Sequence, residues 1–505
     1  MNNRSKGIAL SYINTALNMV CGLFLSAFLL RMLGDTEYGI YQTVSAFASY
    51  LVLFEFGTGT VMTRNLSMCF GRNATRDEIE RNVSTIWTIT NALAIVIAIV
   101  SLGFFFSMGS IYSKTMTEAQ IAYGKKIFAI MTVFLIVSFY TQTVNGIILA
   151  CEKYTFSSAV STIKIVLRTT LLVGLISAFR YSIIIAIVDT VLSIFIAIFT
   201  YFFCLRKCSI CLSLKHFDNS IFRAALPLCL AIFMQTIVNQ ANNNVDKFLI
   251  GVMMSPEMVT LYGVGMYIYN VFSSLTTIPI SMYAPQVIKG VGCGLEKKEL
   301  ADTLIRPSRL IVLIGGNVLF GYIAAGRQFI SIVYGDSYGT AWWIALVIMV
   351  PMFINMSNGI IINVLDALGK RIYRSVILTF TTVANIVLTF WWVKVFGVIG
   401  AAIATAVCTF CGQVVLMNIY YYKKIKIPVI YLFVRSYRGI LLYQIFASLC
   451  AYVIGISISN KYLSFFVAIV SYLALFLVGF LVIGKNEEEK IYLKKFFRRR
   501  NDKNI

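Results

Sequence analysis

Three observations predict an all-α polytopic membrane protein of about fourteen transmembrane helices. The 505-residue chain is 59% hydrophobic and only 13% charged, with a mean hydropathy of +0.82. Soluble domains sit nearer ~45–50% apolar and ~25% charged. Apolar runs of about 20 residues, each able to cross roughly 30 Å of hydrocarbon, recur along the whole length. Basic residues gather in alternate connecting segments. A membrane barrel is excluded, because its strands would appear as short alternating segments rather than long apolar runs.

The candidate spans, in order, are 8–30, 40–62, 84–108, 127–150, 157–179, 181–204, 224–250, 259–283, 307–326, 341–365, 375–396, 399–420, 438–457 and 462–484. The first is too long for a signal-peptide core and carries no small-residue cleavage site, so it is expected to stay attached. With the N-terminus cytoplasmic, the inward segments hold most of the 43 Lys and Arg. That bias is what the positive-inside rule predicts, and it puts both termini in the cytoplasm. The net charge of +22 thus reflects topology rather than nucleic-acid binding.

An internal repeat divides the chain. RMLGDTEYG after the first span has a counterpart in VDKFLIGVMMSPEMVTLYG after the seventh. Arg31, Gly34, Tyr38 and Gly39 match Lys247, Gly251, Tyr262 and Gly263. The tetrapeptide Asn145–Ile148 recurs as Asn358–Ile361 at nearly the same offset. Two pseudo-symmetric six-helix lobes follow, 1–216 and 217–427, then two extra helices in 428–484 and a basic cytoplasmic tail, 485–505. An even number of helices per lobe gives both halves one orientation, with the pseudo-two-fold axis along the membrane normal. Gly34 and Gly39 are read as serving a tight outward hairpin.

Polar side chains inside spans are costly and face a partner or a cavity. Ser11, Asn14 and Asn18 share one face of the first span, and Tyr38, Gln42, Ser45 and Ser49 share one of the second. The seventh carries Gln235, Asn239, Asn242, Asn243 and Asp246, more than one packing seam needs, which favours a water-filled cavity between the halves. For the single Ser and Thr residues, interhelical hydrogen bonding explains the same pattern. Lys164 and Arg168, four apart in the fifth span, present a cationic face suited to an anion. Glu55, Asp189 and Asp246 are the acidic counterparts, either as ion-coupling groups or as partners of nearby cations. Arg31 either caps the first helix and reaches the outer headgroups, or faces Lys247 across an outer mouth.

Other signals exclude more than they assign. A lone histidine, His216, argues against membrane-embedded acyltransferases and metalloproteases. CLRKCSIC, 204–211, has ligand-like spacing but no obvious fourth ligand, so no metal or cofactor is expected. No phosphate-binding loop opens a soluble domain. The remaining cysteines read as reduced packing residues. The segment 64–82 is expected to lie along the cytoplasmic surface as an amphipathic stretch, and the basic tail to contact lipid headgroups.

RMLGDTEYGIYQ, PLCLAIFMQTIVNQANNNVDKFLIG and NGIILACEKY together resemble the polysaccharide-export branch of the MOP flippase superfamily, the Wzx-type O-antigen and capsule flippases. The resemblance implies a MATE-like fold in a bacterial cytoplasmic membrane and no enzymatic activity. It implies translocation of a polyprenyl-pyrophosphate-linked oligosaccharide by alternating access without ATP. Carried over by position, the first, second, seventh and eighth helices line the cavity. Arg31, Lys164, Arg168 and Lys247 are then the candidate charge partners, and Asn14, Asn18, Gln42, Gln235, Asn239 and Asn243 the candidate sugar contacts. The expected partners are the lipid-linked glycan, membrane lipids and a polysaccharide polymerase machinery; any coupling would use a proton or sodium gradient. A lipid II flippase and a cation-coupled multidrug exporter of the same fold are the alternatives. A glycan polymerase is disfavoured because the outward loops are short.

Overall fold

A computed structural model of the protein describes residues 3–484, apart from 209, 211, 215, 293–296 and 369. Every described element is a helix or a turn. This follows from the solvent: in hydrocarbon an unpaired backbone N–H or C=O costs several kcal/mol, and a helix pairs them within one segment. The chain forms two compact units, residues 1–263 and 264–505.

The first unit contains α1 (Asn3–Leu33), α2 (Asp35–Ala48), a 3-10 segment (Ser49–Glu55), α3 (Thr58–Gly71), α4 (Arg76–Tyr112), α5 (Glu118–Ala150), α6 (Tyr154–Phe179), α7 (Ile183–Lys207), α8 (Asn219–Met253) and the start of α9 (Pro256–Gly292). The second holds the rest of α9, then α10 (Lys297–Val333), α11 (Gly339–Ser357), α12 (Ile361–Ala367), α13 (Arg371–Phe396) and α14 (Val398–Cys408). The chain continues from α14 through π-helical turns and α15 (Met417–Tyr420) to Ile425. It closes with α16 (Val429–Tyr437), α17 (Leu441–Ile456) and α18 (Lys461–Gly479).

Each of the fourteen expected ranges contains helix, although 40–62 and 341–365 are interrupted. Among the described residues, 10 are long and apolar enough to span a membrane, or 11 when α16 and α17, bent by 47°, are joined. The apolar stretches Leu17–Leu33 and Asn219–Met234 are shorter. The protein is thus a multi-pass membrane protein. Its outward faces agree: Phe24, Phe106, Trp391 and Leu442 are exposed, as lipid-facing side chains should be.

Contacts among the connecting segments check the alternation of sides along the chain. Glu37 accepts from the Ser182 hydroxyl at 2.8 Å, and the Tyr123 hydroxyl accepts from the Ile183 N–H at 3.0 Å. Thr115 donates to the Gly251 carbonyl at 2.9 Å. With the N-terminus cytoplasmic, the order of spans puts all of these segments on the outward side. At the other end, the His216 N–H donates to the Ser84 hydroxyl at 3.1 Å and the Asp218 N–H to the Thr85 hydroxyl at 2.9 Å. In the second unit Lys461 pairs with Asp336 at 2.5 Å, again joining two loops assigned to one side.

Helix ends follow local chemistry. Thr117 and Gln120 form a capping box on α5, and Asn460 and Asp218 cap α18 and α8 through their side chains. Within the first unit α5 is the central helix, packed against α2, α3, α4 and α7. In the second unit α10 takes that place, against α11, α16, α17 and α18. The pair α17–α18 docks there through Gln444, whose amide donates to the Val312 carbonyl at 3.3 Å, and Ser448, which donates to the Phe320 carbonyl at 2.8 Å.

The structure refines several of these expectations. The segment 64–82 is mostly helical: it comprises the end of α3 and the start of α4, joined by a short turn whose Thr75 caps α4. Gly39 is not in a turn: only Gly34, at φ +80, lies between α1 and α2. Gly39 is helical and presses on the Pro256 carbonyl, where a side chain would collide. The span 40–62 is not continuous either. A 3-10 segment ends at Glu55, Phe56 and Gly57 take left-handed conformations (φ 49 and 65), and α3 restarts at Thr58. The division at 216 follows the sequence repeat, whereas the packing divides at Gly263, because α8 rests on α2, α3 and α4. The tail 485–505 lies outside the described residues.

A Cβ at residue 57 would approach the Ile232 side chain to 2.5 Å, on a backbone that already disfavours any side chain. Gly57→Ala is therefore expected to cost about 1–3 kcal/mol, read as a lower thermal unfolding midpoint in detergent. An unchanged midpoint would mean that the break is not under this constraint.

Candidate functional site

The break in the second span borders a polar cavity of the first unit. Left-handed residues at 56 and 57 turn the chain, and the Phe56 ring stacks on Phe233 of α8 with centroids 4.3 Å apart and planes 2° apart. Past the break, α3 crosses α5 so closely that Gly59 and Gly146 meet backbone to backbone. Hydroxyls fasten the crossing: Thr63 donates to the Gly146 carbonyl at 3.0 Å, and Thr58 and Thr143 share a hydrogen bond of 3.0 Å. Small residues and Thr hydroxyls of this kind are what hold helices together where lipid removes the hydrophobic drive.

Beside this crossing lies a cavity of about 260 Å³. Glu55, Thr60, Gln142, Asn145 and Thr236 supply its polar wall, and Leu149 and Ile232 its apolar one. The Gln142 amide lies beside the Glu55 carboxylate. The second unit has a counterpart at the repeated tetrapeptide, around Asn355, Asn358, Arg374, Gln413 and Asn418, but of only about 10 Å³. There the amides bond to one another: Asn355 donates to Gln413 at 2.7 Å, and Asn358 to Asn418 at 3.1 Å. Gly359 meets the Ile280 side chain of α9 at 2.5 Å for a hypothetical Cβ, so both glycines of the repeat mark close helix crossings. Both tetrapeptides are also preceded, three residues earlier, by an amide, Gln142 or Asn355. That spacing puts two amides on one helix face and was a readable signal that the tetrapeptide alone did not convey.

The intramembrane charges form a second cluster in the same unit. Arg168 on α6 grips Asp189 on α7 through two hydrogen bonds, Nε to Oδ1 at 2.5 Å and Nη2 to Oδ2 at 2.9 Å. The pair is partly buried, with side-chain exposures of 34% and 14%. Planar guanidinium and carboxylate match in a two-point contact, which fixes orientation as well as charge. Lys164, one turn away, sits over the Phe134 ring at 5.7 Å and within electrostatic reach of Asp189. The Tyr41 hydroxyl interacts with Arg168. The cluster therefore carries two cations and one anion.

The other candidates are dispersed. Asp246 is buried in α8 and accepts from the Tyr262 hydroxyl at 2.6 Å. Lys247 is half-buried in α8, and Arg31 is exposed in the last turn of α1. Gln42 packs on Gly263, where any side chain would collide with its amide. The repeat is thus a physical fit: each Tyr-Gly glycine receives the other hairpin's segment, and Thr36 donates to Glu257 at 2.7 Å beside them. Asn14 is half-buried with its Oδ1 lacking a hydrogen-bond partner, and Asn18 is exposed. The side chains of Ser11, Gln235, Asn239, Asn242 and Asn243 lie outside the described residues. No group of three or more His, Cys, Asp or Glu able to hold a metal occurs among the described residues.

The sequence matches the family model described as polysaccharide biosynthesis protein over residues 5–289. The chain belongs to that family. No curated protein matches it. In fold it is similar to the lipid II flippase MurJ in an inward closed conformation, at 16% identity and a TM-score of 0.67, covering 94% of this chain and 99% of that one. It is also similar to an inward-facing multidrug resistance MATE family transporter of the MOP superfamily, at 14% identity and a TM-score of 0.53, covering 84% and 98%. A third likeness is to a MOP superfamily transporter from Pyrococcus furiosus, at 12% identity and a TM-score of 0.51, covering 84% and 97%. The chain shares the fold of these structures.

If Arg168 and Asp189 hold α6 to α7, removing either leaves an unpaired charge inside the membrane. Arg168→Ala and Asp189→Ala should each destabilise by about 1–3 kcal/mol, with the double variant costing less than the two together. Additive losses in detergent melting would show that the pair is not coupled.

Proposed function

We propose that this protein is a flippase of the bacterial cytoplasmic membrane that moves a polyprenyl-pyrophosphate-linked oligosaccharide by alternating access, for O-antigen- or capsule-type export. The observation that carries the reading is the Lys164–Arg168–Asp189 cluster in a member of a polysaccharide biosynthesis family. Two cations against one carboxylate leave positive charge inside the membrane, where it attracts a pyrophosphate far more strongly than in water. Meanwhile the polyprenyl tail needs no binding site, because lipid solvates it. A drug exporter selecting cations would gain nothing from that cluster.

The lipid II flippase is the alternative, favoured by the likeness in fold to MurJ. Both readings are tested in sealed vesicles carrying a fluorescent polyprenyl-pyrophosphate glycan on one leaflet. Reconstituted protein should accelerate its transfer over protein-free vesicles, and transfer of an O-antigen-type repeat unit should exceed that of lipid II. Lys164→Ala should lower the rate about tenfold or more at unchanged protein level. No acceleration with either lipid contradicts the proposal, and faster transfer of lipid II favours the alternative.

Energy coupling, to a proton or sodium gradient, is proposed to run through Asp246, a buried carboxylate on α8. Asp246→Asn should abolish the dependence of transfer on an imposed gradient while leaving downhill exchange. Persistence of that dependence would exclude this carboxylate.

A further inference from the structure

The cavity at the break of the second span is matched to something larger than an ion. A bare cation needs about the space of one water, on the order of 10–15 Å³, and the cavity offers about 260 Å³. That lies just below the ~300–1,000 Å³ of pockets that enclose drug-sized ligands, the scale of one sugar ring. Its counterpart in the second unit, at about 10 Å³, is filled by its own amides and has no such room.

The lining matches the chemistry of a pyranose. Glu55 offers two carboxylate oxygens, the geometry that accepts from a pair of neighbouring hydroxyls. Gln142 and Asn145 each both donate and accept, so they serve hydroxyls and acetamido groups alike. Ile232 on α8, and Leu149 on the same face of α5 as Gln142 and Asn145, add apolar surface for the C–H face of the ring. Thr236 already spends its proton on the Ile232 carbonyl at 2.9 Å and is left as an acceptor. An ionised Glu55 repels a carboxylate on the ligand.

We infer that this cavity, bounded by Glu55, Gln142 and Asn145, is a monosaccharide subsite that takes one uncharged sugar ring and rejects a uronic acid. The inference rests on the flippase reading and adds specificity to it. The subsite lies wholly in the first unit and leaves recognition of the pyrophosphate to other residues.

The test uses the full chain in lipid nanodiscs and three synthetic probes: polyprenyl pyrophosphate without sugar, with one N-acetylhexosamine, and with one hexuronic acid. Wild-type protein should bind the neutral-sugar lipid about tenfold or more tighter than the sugarless one. Glu55→Gln, which keeps the shape, and Gln142→Ala, at an exposed side chain, should each remove most of that gain without weakening the sugarless lipid. Glu55→Gln should also narrow the preference for the neutral sugar over the uronic acid. Equal binding of all three lipids by the wild type, or equal weakening of all three by the variants, overturns the subsite and leaves the flippase reading standing. Wild-type protein that binds none of the three overturns both.

Discussion

In hydrocarbon every backbone hydrogen bond has to be made inside the protein, and that constraint decides where this chain can deviate from a helix. The deviation at Phe56–Gly57 is tolerated because protein surrounds it on each side: Phe233 and Ile232 of α8 on one, the α3–α5 crossing on the other. Its freed polar groups and the Glu55 carboxylate then require a polar lining, which Gln142 and Asn145 supply. The cavity borders the break. A straight second helix would have neither the glycine contact with Ile232 nor room for a ligand.

The same constraint separates two kinds of intramembrane polarity. Threonines at 58, 63 and 143 close upon backbone or one another, and what they produce is a tight crossing. Arg168 and Asp189 also satisfy each other, yet Lys164 leaves a charge imbalance that packing does not require. In the second unit the amide pairs around Asn358 are mutually satisfied and the space between them is about one water. Two halves built from one repeat have thus diverged, one keeping an open polar cavity and the other sealing it.

Much of this was legible in the sequence, for a physical reason. Long apolar runs and alternating basic loops report the membrane directly, and every expected range holds a helix. The Tyr-Gly repeat was also readable, though its cause was not. Gly39 and Gly263 are small because each receives a neighbouring segment, a tertiary fact that local spacing reads as a turn. The helix break does have a local signal, Glu55 followed by Gly57-Thr58-Gly59-Thr60, but it lies inside a stretch whose mean hydropathy stays that of a span. Pairing of Arg168 with Asp189 joins different helices, and no periodicity within one helix announces it. Gln142 was missed because a single exposed amide in an apolar span looks like any other until the cavity places Glu55 beside it.

The central claim is that a glycan on a pyrophosphate-linked lipid occupies the first unit, with its sugar at the helix break. Cryo-electron microscopy of the protein in nanodiscs with such a lipid tests it most directly. The account predicts ring density between Glu55, Gln142 and Ile232. Well-resolved lipid headgroup density elsewhere, with that cavity holding only water, would contradict it.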